Sequence, residues 1–339
     1  MTIQQVIERQ HRIIESTLVP LMKSDYIFID LPYYSNIGDT LIWKGTETFL
    51  SKLPYKCLFK ASFQTFQFPK LSEDVIIIMM GGGNWGDLYA PHNQLRREVV
   101  TRYPNNRIIV LPQTIYYQSA RNARNDAKVF RKNKNLIICA RDKYSYHFLK
   151  AFGFSKNILL LPDMAFCIDT TELKEFSKEL INRDLLFQRV DKEKTNISRI
   201  TSCLQDGSYD VSDWPLYEGE DDRLTHLFDY IHKKSFVEAD QYAINFYMPS
   251  RVREGVELIS KYKRIFSNRL HGAILSILLE KEVYIIDNSY GKNRQYFNTW
   301  LQETKGISFI PTKQSFTPKR KILFMFYLLL SIKDRFTRK

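Results

Sequence analysis

Short apolar runs alternate with amphipathic helical patterns along most of the chain. The most continuous run, VIIIMM at 75–80, is typical of a central parallel strand that is buried on both faces. Helical patterns lie between the runs, so the sequence predicts repeated βαβ units. The predicted strands cover residues 26–30, 57–60, 75–80, 107–111, 136–140, 158–161, 184–188, 264–266 and 283–286. The predicted helices cover residues 2–23, 40–51, 93–102, 143–152, 222–235, 250–262 and 269–279.

The alternation is interrupted at residues 164–183, which have the pattern of a linker and crossover. A chain of 339 residues exceeds the usual size of one domain. We therefore predict an α/β protein with one domain at 1–170 and a second at 171–318, followed by a tail at 319–339. The acidic, turn-rich stretch 210–222 is predicted to be a loop.

Polar and glycine residues follow the predicted strands at the sheet edge where α/β folds bind ligands. Asn36, Gly38 and Asp39 follow the first strand, and GGGNWGD at 81–87 follows the third. The glycine segment is predicted to be a turn whose backbone can approach a ligand closely. It has neither the GK[ST] of a Walker loop nor the acidic partner of a Rossmann fingerprint. Asp39 is equally compatible with a plain helix cap.

Two arginines stand at strand-to-helix junctions. Arg141 follows the strand at 136–140, whereas Arg269 and His271 fall in the first turn of the helix after 264–266. The free N–H groups and the dipole of a helix already favour an anion at this place. An Arg and a His together there predict a phosphate or carboxylate pocket rather than a solvated face. For Arg141, a structural salt bridge with Asp142 is the alternative.

Composition excludes several classes of function. The net charge of +13 invites an anionic partner, but seven Lys or Arg and one Asp fall within 319–339. No nucleic-acid-binding motif accompanies that charge, so no nucleic-acid partner is predicted. The four cysteines lack metal-ligand spacing and are predicted to be buried thiols in a reducing cytosol, with no metal site. The chain shows no apolar signal core or spanning segment, which predicts a cytoplasmic protein.

Five segments together resemble the polysaccharide pyruvyl transferases: NIGD at 36–39, GGGN at 81–84, ARD at 140–142 with Ser145, SNRLH at 267–271 and DNSYGK at 287–292. The order and spacing match across residues 26–300. The resemblance implies a GT-B-like fold, in which two Rossmann-like domains face each other across a cleft. It also implies transfer of an enolpyruvyl unit from phosphoenolpyruvate to two hydroxyls of one sugar. The products would be phosphate and a pyruvate ketal on an exopolysaccharide or a cell-surface glycan precursor, with phosphoenolpyruvate as co-substrate and no cofactor.

The resemblance assigns the binding of phosphoenolpyruvate to Arg141, Arg269 and His271. Arginine can hold a carboxylate or a phosphate in bidentate fashion, and a histidine can donate a proton or stabilise departing phosphate. Asp39 or Asp87 could take the proton of the attacking hydroxyl, and the sequence does not choose between acid and base roles. The other predicted donor contacts are Ser267, Asn268 and Leu270. The predicted acceptor or loop contacts are Asn36, Gly38, Gly82, Gly83, Asn84, Asn288, Ser289, Tyr290 and Lys292.

Two other functions fit the same sequence: a GT-B glycosyltransferase that uses a nucleotide sugar, and a non-catalytic protein that binds a glycan or an anion. Phosphate release from phosphoenolpyruvate distinguishes both of these functions from a pyruvyl transferase.

The C-terminal tail also leaves two alternatives. Its apolar centre, 322–332, is flanked by cations and is too short to span a bilayer. It either lies at the inner membrane face, close to a lipid-linked acceptor, or packs on the N-terminal domain.

Overall fold

The computed structural model describes residues 1–189, 204, 209–215, 222–288 and 291–311 as two parallel β-sheets with surrounding helices. The strands are β1 (Tyr26–Leu31), β2 (Cys57–Ser62), β3 (Ile76–Met79), β4 (Gly82–Gly86), β5 (Ile108–Tyr116), β6 (Leu136–Ala140), β7 (Asn157–Leu160), β8 (Asp184–Phe187), β9 (Tyr209–Ser212), β10 (Arg264–Ser267), β11 (Glu282–Ile286) and β12 (Ile307–Ile310). The helices are α1 (Ile3–Leu18), α2 (Ile37–Leu50), α3 (Ala90–Arg102), α4 (Ala120–Phe130), α5 (Lys143–Phe152), α6 (Thr170–Glu175), α7 (Asp222–His232), α8 (Phe236–Tyr242), α9 (Met248–Ser260), α10 (Leu270–Leu278) and α11 (Lys292–Trp300). A π-helical turn, Ala243–Tyr247, joins α8 to α9, and short 3-10 turns cover Val19–Leu21 and Met164–Cys167.

The first sheet has the strand order β2-β1-β3-β5-β6-β7, with β4 pairing to β5 as well. Every pairing is parallel. The chain leaves β1 outward to β2 and then returns to the other side of β1 at β3. The connections that follow β1 and β3 therefore run in opposite directions along the sheet. This reversal between β1 and β3 is a topological switch point, which opens a crevice at the carboxyl ends of the strands.

The second sheet repeats this plan with the order β12-β11-β10-β8-β9, again with parallel pairings. The chain moves outward from β8 to β9 and then crosses to β10 on the other side. The switch point of this sheet therefore lies between β8 and β10. Each sheet offers one ligand crevice, at the carboxyl ends of its central strands.

One apolar core is shared by residues of both sheets. Phe28 of β1 and Ile265 of β10 belong to the same buried cluster, whereas Ile27 and Ile29 point into a separate core on the other face of the first sheet. Helix α2 contacts α9, α10 and the Met164–Cys167 turn. The helix that follows β1 is thus packed directly against the helix that follows β10. This packing brings the loops after β1 and β10 together.

The predicted α/β class and parallel sheets are confirmed. The turn predicted at 81–87 is wrong, because Gly82–Gly86 forms β4 beside β5. The loop predicted at 210–222 is wrong at its start, where Tyr209–Ser212 forms β9, and 164–183 contains the short helix α6. Helices α4, α8 and α11 and strand β12 were not predicted. The domain limits remain predictions. Cys203, Ser289, Tyr290 and the 319–339 tail lie outside the described residues.

Cys139 and Cys167 are buried free thiols, as predicted, and Cys57 is half-buried. Burial raises the pKa of Cys139 to about 12 and that of Cys57 to about 11. Among the described residues, none of the helices combines the length and the apolar character that crossing a bilayer requires.

Candidate functional site

A cavity of about 330 Å³ lies at the carboxyl ends of strands from both sheets. Its volume is in the range of small-molecule binding pockets. The lining comes from loops that follow central strands of each sheet and from the starts of α2, α3, α10 and α11. The lining residues are Tyr34, Ser35, Asn36, Asp39, Gly83, Asn84, Tyr89, His92, Arg141, Arg189, Trp214, Arg269, Leu270, His271 and Lys292.

At one wall of the cavity, Arg141 and His271 share a buried carboxylate. The Arg141 Nη1 donates to Asp163 Oδ2 at 2.8 Å, and the His271 Nε2 lies 3.2 Å from the same oxygen. Asp163 is fully buried and Arg141 is 1% exposed. The other oxygen of Asp163 accepts the backbone N–H of Ala165 at 3.0 Å. One carboxylate therefore fixes two groups that come from different sheets.

Asp163 is held in its charged form. Burial alone would raise the pKa of Asp163, but the charge and hydrogen bond of His271, together with Arg141, lower it well below its usual range. A carboxylate can only accept hydrogen bonds. The Nε2 of His271 is therefore the nitrogen that carries a hydrogen toward Asp163.

Arg141 has a second support on its other side. Its Nε donates to Thr114 Oγ1 at 2.8 Å, and this hydroxyl donates to Asp142 Oδ2 at 2.9 Å. Asp142 in turn caps α5 by accepting the N–H of Ser145 at 2.7 Å. The salt bridge of Arg141 is thus with Asp163, whereas Asp142 caps the helix. Burial raises the pKa of Asp142.

Arg269 stands between β10 and α10 and is oriented by Asp213, the residue that follows β9. Its Nη2 lies 2.7 Å from Asp213 Oδ2, and its Nε pairs with Oδ1 of the same carboxylate. Ser267 fixes the backbone, since its Oγ donates to Arg269 O at 2.8 Å and accepts the Arg269 N–H at 3.1 Å. Arg269 is 4% exposed as a residue, so its side chain is held in the cavity wall with little freedom.

Asp39 is oriented by two neighbours at the start of α2. Its Oδ2 accepts Asn36 Nδ2 at 2.7 Å and Tyr34 Oη at 3.1 Å. Asn36, rather than Asp39, is the residue that caps α2, through the Gly38 N–H at 3.1 Å. Since both side-chain bonds use Oδ2, they leave Oδ1 as the oxygen of Asp39 that can act on a ligand. Burial, followed by the nearby charge of Asp39, raises the pKa of Tyr34, which stays a neutral phenol.

A buried polar network supports the opposite wall. Arg96 is fully buried, and its Nη2 donates to Asp30 Oδ2 at 2.7 Å and to Asn84 Oδ1 at 2.6 Å. His92 Nδ1 lies 2.6 Å from Asp30 Oδ1. Asn84 and His92 reach the cavity, whereas Asp30 and Arg96 stand behind them. The network fixes the amide of Asn84 so that its NH₂ group is the part offered to a ligand.

The lining carries four Lys or Arg side chains, Arg141, Arg189, Arg269 and Lys292, and one carboxylate, Asp39, among the described residues. The carboxylates of Asp163 and Asp213 stand behind two of these arginines and anchor them. A cavity of this composition favours a small ligand with more than one negative charge.

Several predicted site residues support the cavity without lining it. Ser267 holds the backbone of Arg269, Asn268 Oδ1 accepts the Arg189 N–H at 2.7 Å, and Asn288 Oδ1 accepts the Lys292 N–H at 2.8 Å. Gly82 and Gly38 lie against cavity residues: a Cβ at Gly82 would stand 3.4 Å from Asp39 Oδ1. Ser289 and Tyr290 lie outside the described residues.

Asp87 was predicted as a catalytic carboxylate, and the structure places it away from the cavity. Its Oδ1 accepts the Gln118 N–H at 2.8 Å, and its Oδ2 accepts the Ser119 N–H and the Asn122 amide, both at 3.1 Å. The physical reason is that residues 82–86 form the extended strand β4 where a turn was expected. This strand carries Asp87 to a position outside the cavity lining. The carboxylate of Asp87 therefore orders the loop before α4.

Sequence reasoning missed Asp163, Arg189, Asp213 and the network behind Asn84. Asp163 and Arg189 directly follow predicted strands, so the same rule that selected Arg141 could have found them. Asp213 fell within the predicted loop. No sequence pattern marked His92 or Arg96 as site residues. A helical pattern does not show which of its polar side chains will bind residues at the end of a neighbouring strand.

The sequence profile of the polysaccharide pyruvyl transferase family matches residues 36–290. The chain is 36% identical to the Bacillus subtilis protein named "Putative pyruvyl transferase EpsO", over 83% of this chain and 86% of that one. It is 28% identical to "Pyruvyl transferase 1" of Schizosaccharomyces pombe, over 80% of this chain and 69% of that one. A crystal structure of a functionally uncharacterized Klebsiella pneumoniae protein superposes on this chain with a TM-score of 0.57. The two chains are 20% identical, and the match covers 91% of this chain and 96% of that one. This likeness supports the fold.

Proposed function

The chain belongs to the polysaccharide pyruvyl transferase family, and on that premise we propose that it uses phosphoenolpyruvate to form a pyruvate ketal on a sugar. The acceptor is a polysaccharide of the cell surface or its precursor. The observation that carries the donor assignment is the group of four cationic side chains on one small cavity. Phosphoenolpyruvate combines a carboxylate and a phosphate in a molecule of suitable size.

The anchoring of the arginines supports this donor. Arg141 is fixed by Asp163 and Thr114, and Arg269 is fixed by Asp213. Guanidinium groups held in this way bind planar or tetrahedral anions with little loss of side-chain entropy. Arg189, in the loop after β8, and Lys292, the first residue of α11, add further charge. The two anchoring carboxylates do not line the cavity, whereas the arginines that they hold do.

The reaction needs a proton at the CH₂ carbon of phosphoenolpyruvate and a sugar hydroxyl at the central carbon. The first hydroxyl forms a C–O bond and loses its proton to a base, and we propose Asp39 Oδ1 for that role. The second hydroxyl forms the other C–O bond as the bond to phosphate breaks. The two hydroxyls release two hydrogens in total. One is balanced by the hydrogen added to the new methyl group, and the other leaves with phosphate. His271 would supply the methyl proton or stabilise the phosphate.

We also propose that the two sheets belong to Rossmann-like domains in a GT-B-like arrangement, with the cavity as the cleft. The equal strand order about both switch points supports this arrangement. The residues after β1 and in or after β4 would then face the acceptor, and those after β6, β8 and β10 the donor.

Steady-state assays test the function. The protein is incubated with phosphoenolpyruvate and a panel of lipid-linked and nitrophenyl glycosides, and phosphate release and product mass are measured. Phosphate release that depends on a glycoside, with the mass gain of one ketal, is the expected result. Turnover of nucleotide sugars without any reaction of phosphoenolpyruvate would overturn the proposal in favour of a glycosyltransferase.

Arg269→Ala is expected to raise the KM for phosphoenolpyruvate by roughly 10- to 100-fold, because a charge-assisted hydrogen bond contributes about 1.5–3 kcal/mol. Arg264→Ala is the matched control. Arg264 lies at the other end of β10, where it is paired with Asp184 at 2.8 Å and 2.5 Å, and it does not line the cavity. An unchanged KM in Arg269→Ala, or equal increases in both variants, would remove the donor assignment.

A lipid-linked acceptor would bring the enzyme to the inner membrane face, where the basic and apolar tail 319–339 could bind anionic lipid. Flotation with vesicles that contain an anionic lipid tests this proposal on the full chain and on a chain that ends at Pro318. Flotation of the full chain alone is expected. Equal flotation of both chains, or of neither, contradicts membrane binding by the tail.

A further inference from the structure

The two sides of the cavity differ in chemistry. Its second-sheet side provides Arg189, Arg269 and Lys292. Among the described lining residues, its first-sheet side carries, apart from Arg141, one carboxylate and no Lys or Arg. That side consists of Tyr34, Ser35, Asn36, Asp39, Gly83, Asn84, Tyr89 and His92. Phenol, amide, imidazole and carboxylate groups are suited to the hydroxyls of a neutral ligand rather than to a second anion.

Tyr89 stands apart within this group because it is an exposed residue, whereas the others are buried or half-buried. It is 41% exposed, and the adjacent Leu88 is 44% exposed. Among the exposed large apolar side chains of the described residues, Tyr89 alone lines this cavity. Ala90 and Pro91 are exposed as well, so residues 88–91 form an apolar rim beside a charged cavity.

The rim is fixed at both ends. Asp87, directly before it, accepts hydrogen bonds from the Gln118 and Ser119 N–H groups at 2.8 Å and 3.1 Å. His92, directly after it, is bound to the buried Asp30 at 2.6 Å. A four-residue segment anchored in this way presents its aromatic ring in a defined place, which lowers the entropy lost on binding.

We infer that residues 88–91 form a platform for the acceptor glycan, on which a pyranose ring stacks against Tyr89. One face of a pyranose is formed by C–H groups that can pack on an aromatic ring, while its hydroxyls can bond to polar side chains beside that ring. Asp39 and Asn84 lie on the same side of the cavity as Tyr89. The inference rests on the proposed function and assigns to this side the part of the substrate that carries no charge.

Two measurements on the full chain test the platform. Saturation-transfer NMR with a panel of methyl hexopyranosides measures binding without turnover. Phosphate release from phosphoenolpyruvate measures the acceptor KM and the donor KM separately. The variants are Tyr89→Ala, Tyr89→Phe and, as a matched control, Phe246→Ala, since Phe246 is a more exposed aromatic residue away from the cavity.

Tyr89→Ala is expected to raise the acceptor KM roughly tenfold and to reduce saturation transfer to the glycoside, with the donor KM unchanged. Tyr89→Phe retains the ring and should keep most of the acceptor affinity, and Phe246→Ala should resemble the wild type. Equal acceptor KM values in Tyr89→Ala and the wild type overturn the platform. So does a change in the donor KM alone, or the absence of saturation transfer to every glycoside in the panel.

The same measurements distinguish a failure of the proposed function from a failure of the platform. A wild type that binds glycosides through Tyr89 but never releases phosphate from phosphoenolpyruvate keeps the platform and loses the reaction. Asp87→Asn adds an independent check, because loosening the rim should raise the acceptor KM with little change in kcat. A loss of kcat at saturating acceptor would instead make Asp87 a catalytic carboxylate and contradict its assignment as an anchor.

Discussion

Asp163→Asn is expected to lower turnover about 100-fold or more, the range seen when a group that transfers a proton is lost or misplaced. The carboxylate uses Oδ2 for Arg141 and His271 and Oδ1 for the Ala165 N–H. An amide has only one oxygen. If that oxygen faces Arg141, the NH₂ faces the Ala165 N–H. If it faces Ala165, the NH₂ opposes the guanidinium. The first orientation disturbs the Met164–Cys167 turn that holds residue 163, and the second directly displaces a side chain that we assign to the donor site.

The same variant should lose about 3–5 kcal/mol of stability, because it leaves the charge of Arg141 buried without its partner. Since Arg141 and His271 lower the pKa of Asp163, its stabilisation is complete above the ordinary value of 3.8 and is lost as the pH falls through the lower folded value. The difference in unfolding free energy from wild type should therefore shrink in strong acid.

Asp169→Asn is the matched control, since Asp169 is an exposed carboxylate that caps α6 through the Thr171 N–H at 2.9 Å. It should leave kcat and the KM for phosphoenolpyruvate near wild-type values. Chemical denaturation and steady-state kinetics check both variants. Wild-type turnover in Asp163→Asn, or equal losses in the two variants, would show that the shared carboxylate does not position Arg141 and His271.

The sequence predicts which residues meet at the cavity because parallel strands bring their carboxyl ends to one edge. Arg141, Asp39, Arg269 and His271 directly follow predicted strands or fall in the first helical turn after them, and all four line the cavity. Only apolar runs and the order of helices and strands are needed for this result. The same rule placed Asp87 wrongly, because it assumes that the chain turns after its strand. Gly82–Gly86 instead continues as β4.

The ion pairs that orient these residues could not be predicted in the same way. Asp163 and His271 belong to different sheets, and their contact depends on how the helices after β1 and β10 pack. Asp213 pairs with Arg269 only because a fifth strand, β9, adds to the second sheet. Hydrophobic periodicity specifies which face of a strand or helix is buried. It contains no information on the partner that a polar side chain finds across an interface between two sheets.

Gly38→Ala is expected to reduce turnover about as much as the loss of His271, although alanine favours a helix over glycine by about 1 kcal/mol. Gly38 lies in the first turn of α2, directly against the imidazole. A Cβ there would stand 2.6 Å from His271 Nδ1, 2.9 Å from its Cβ and 3.0 Å from its Cγ. Contacts with Cβ and Cγ cannot be relieved by turning the ring alone. His271 must move, and its contact with Asp163 is then lost.

A double-mutant cycle separates this displacement from a general defect in α2. If Gly38→Ala acts only through His271, then the double variant Gly38→Ala, His271→Ala should turn over no more slowly than His271→Ala, because the contacts with the ring are removed and only the 2.9 Å contact between the two Cβ atoms remains. It should also be more stable to urea than Gly38→Ala alone. Additive losses of turnover, or a double variant no more stable than Gly38→Ala, would show that the alanine disturbs the start of α2 and the Asn36 cap rather than the histidine. Wild-type kcat in Gly38→Ala would mean that turnover does not depend on the position of His271.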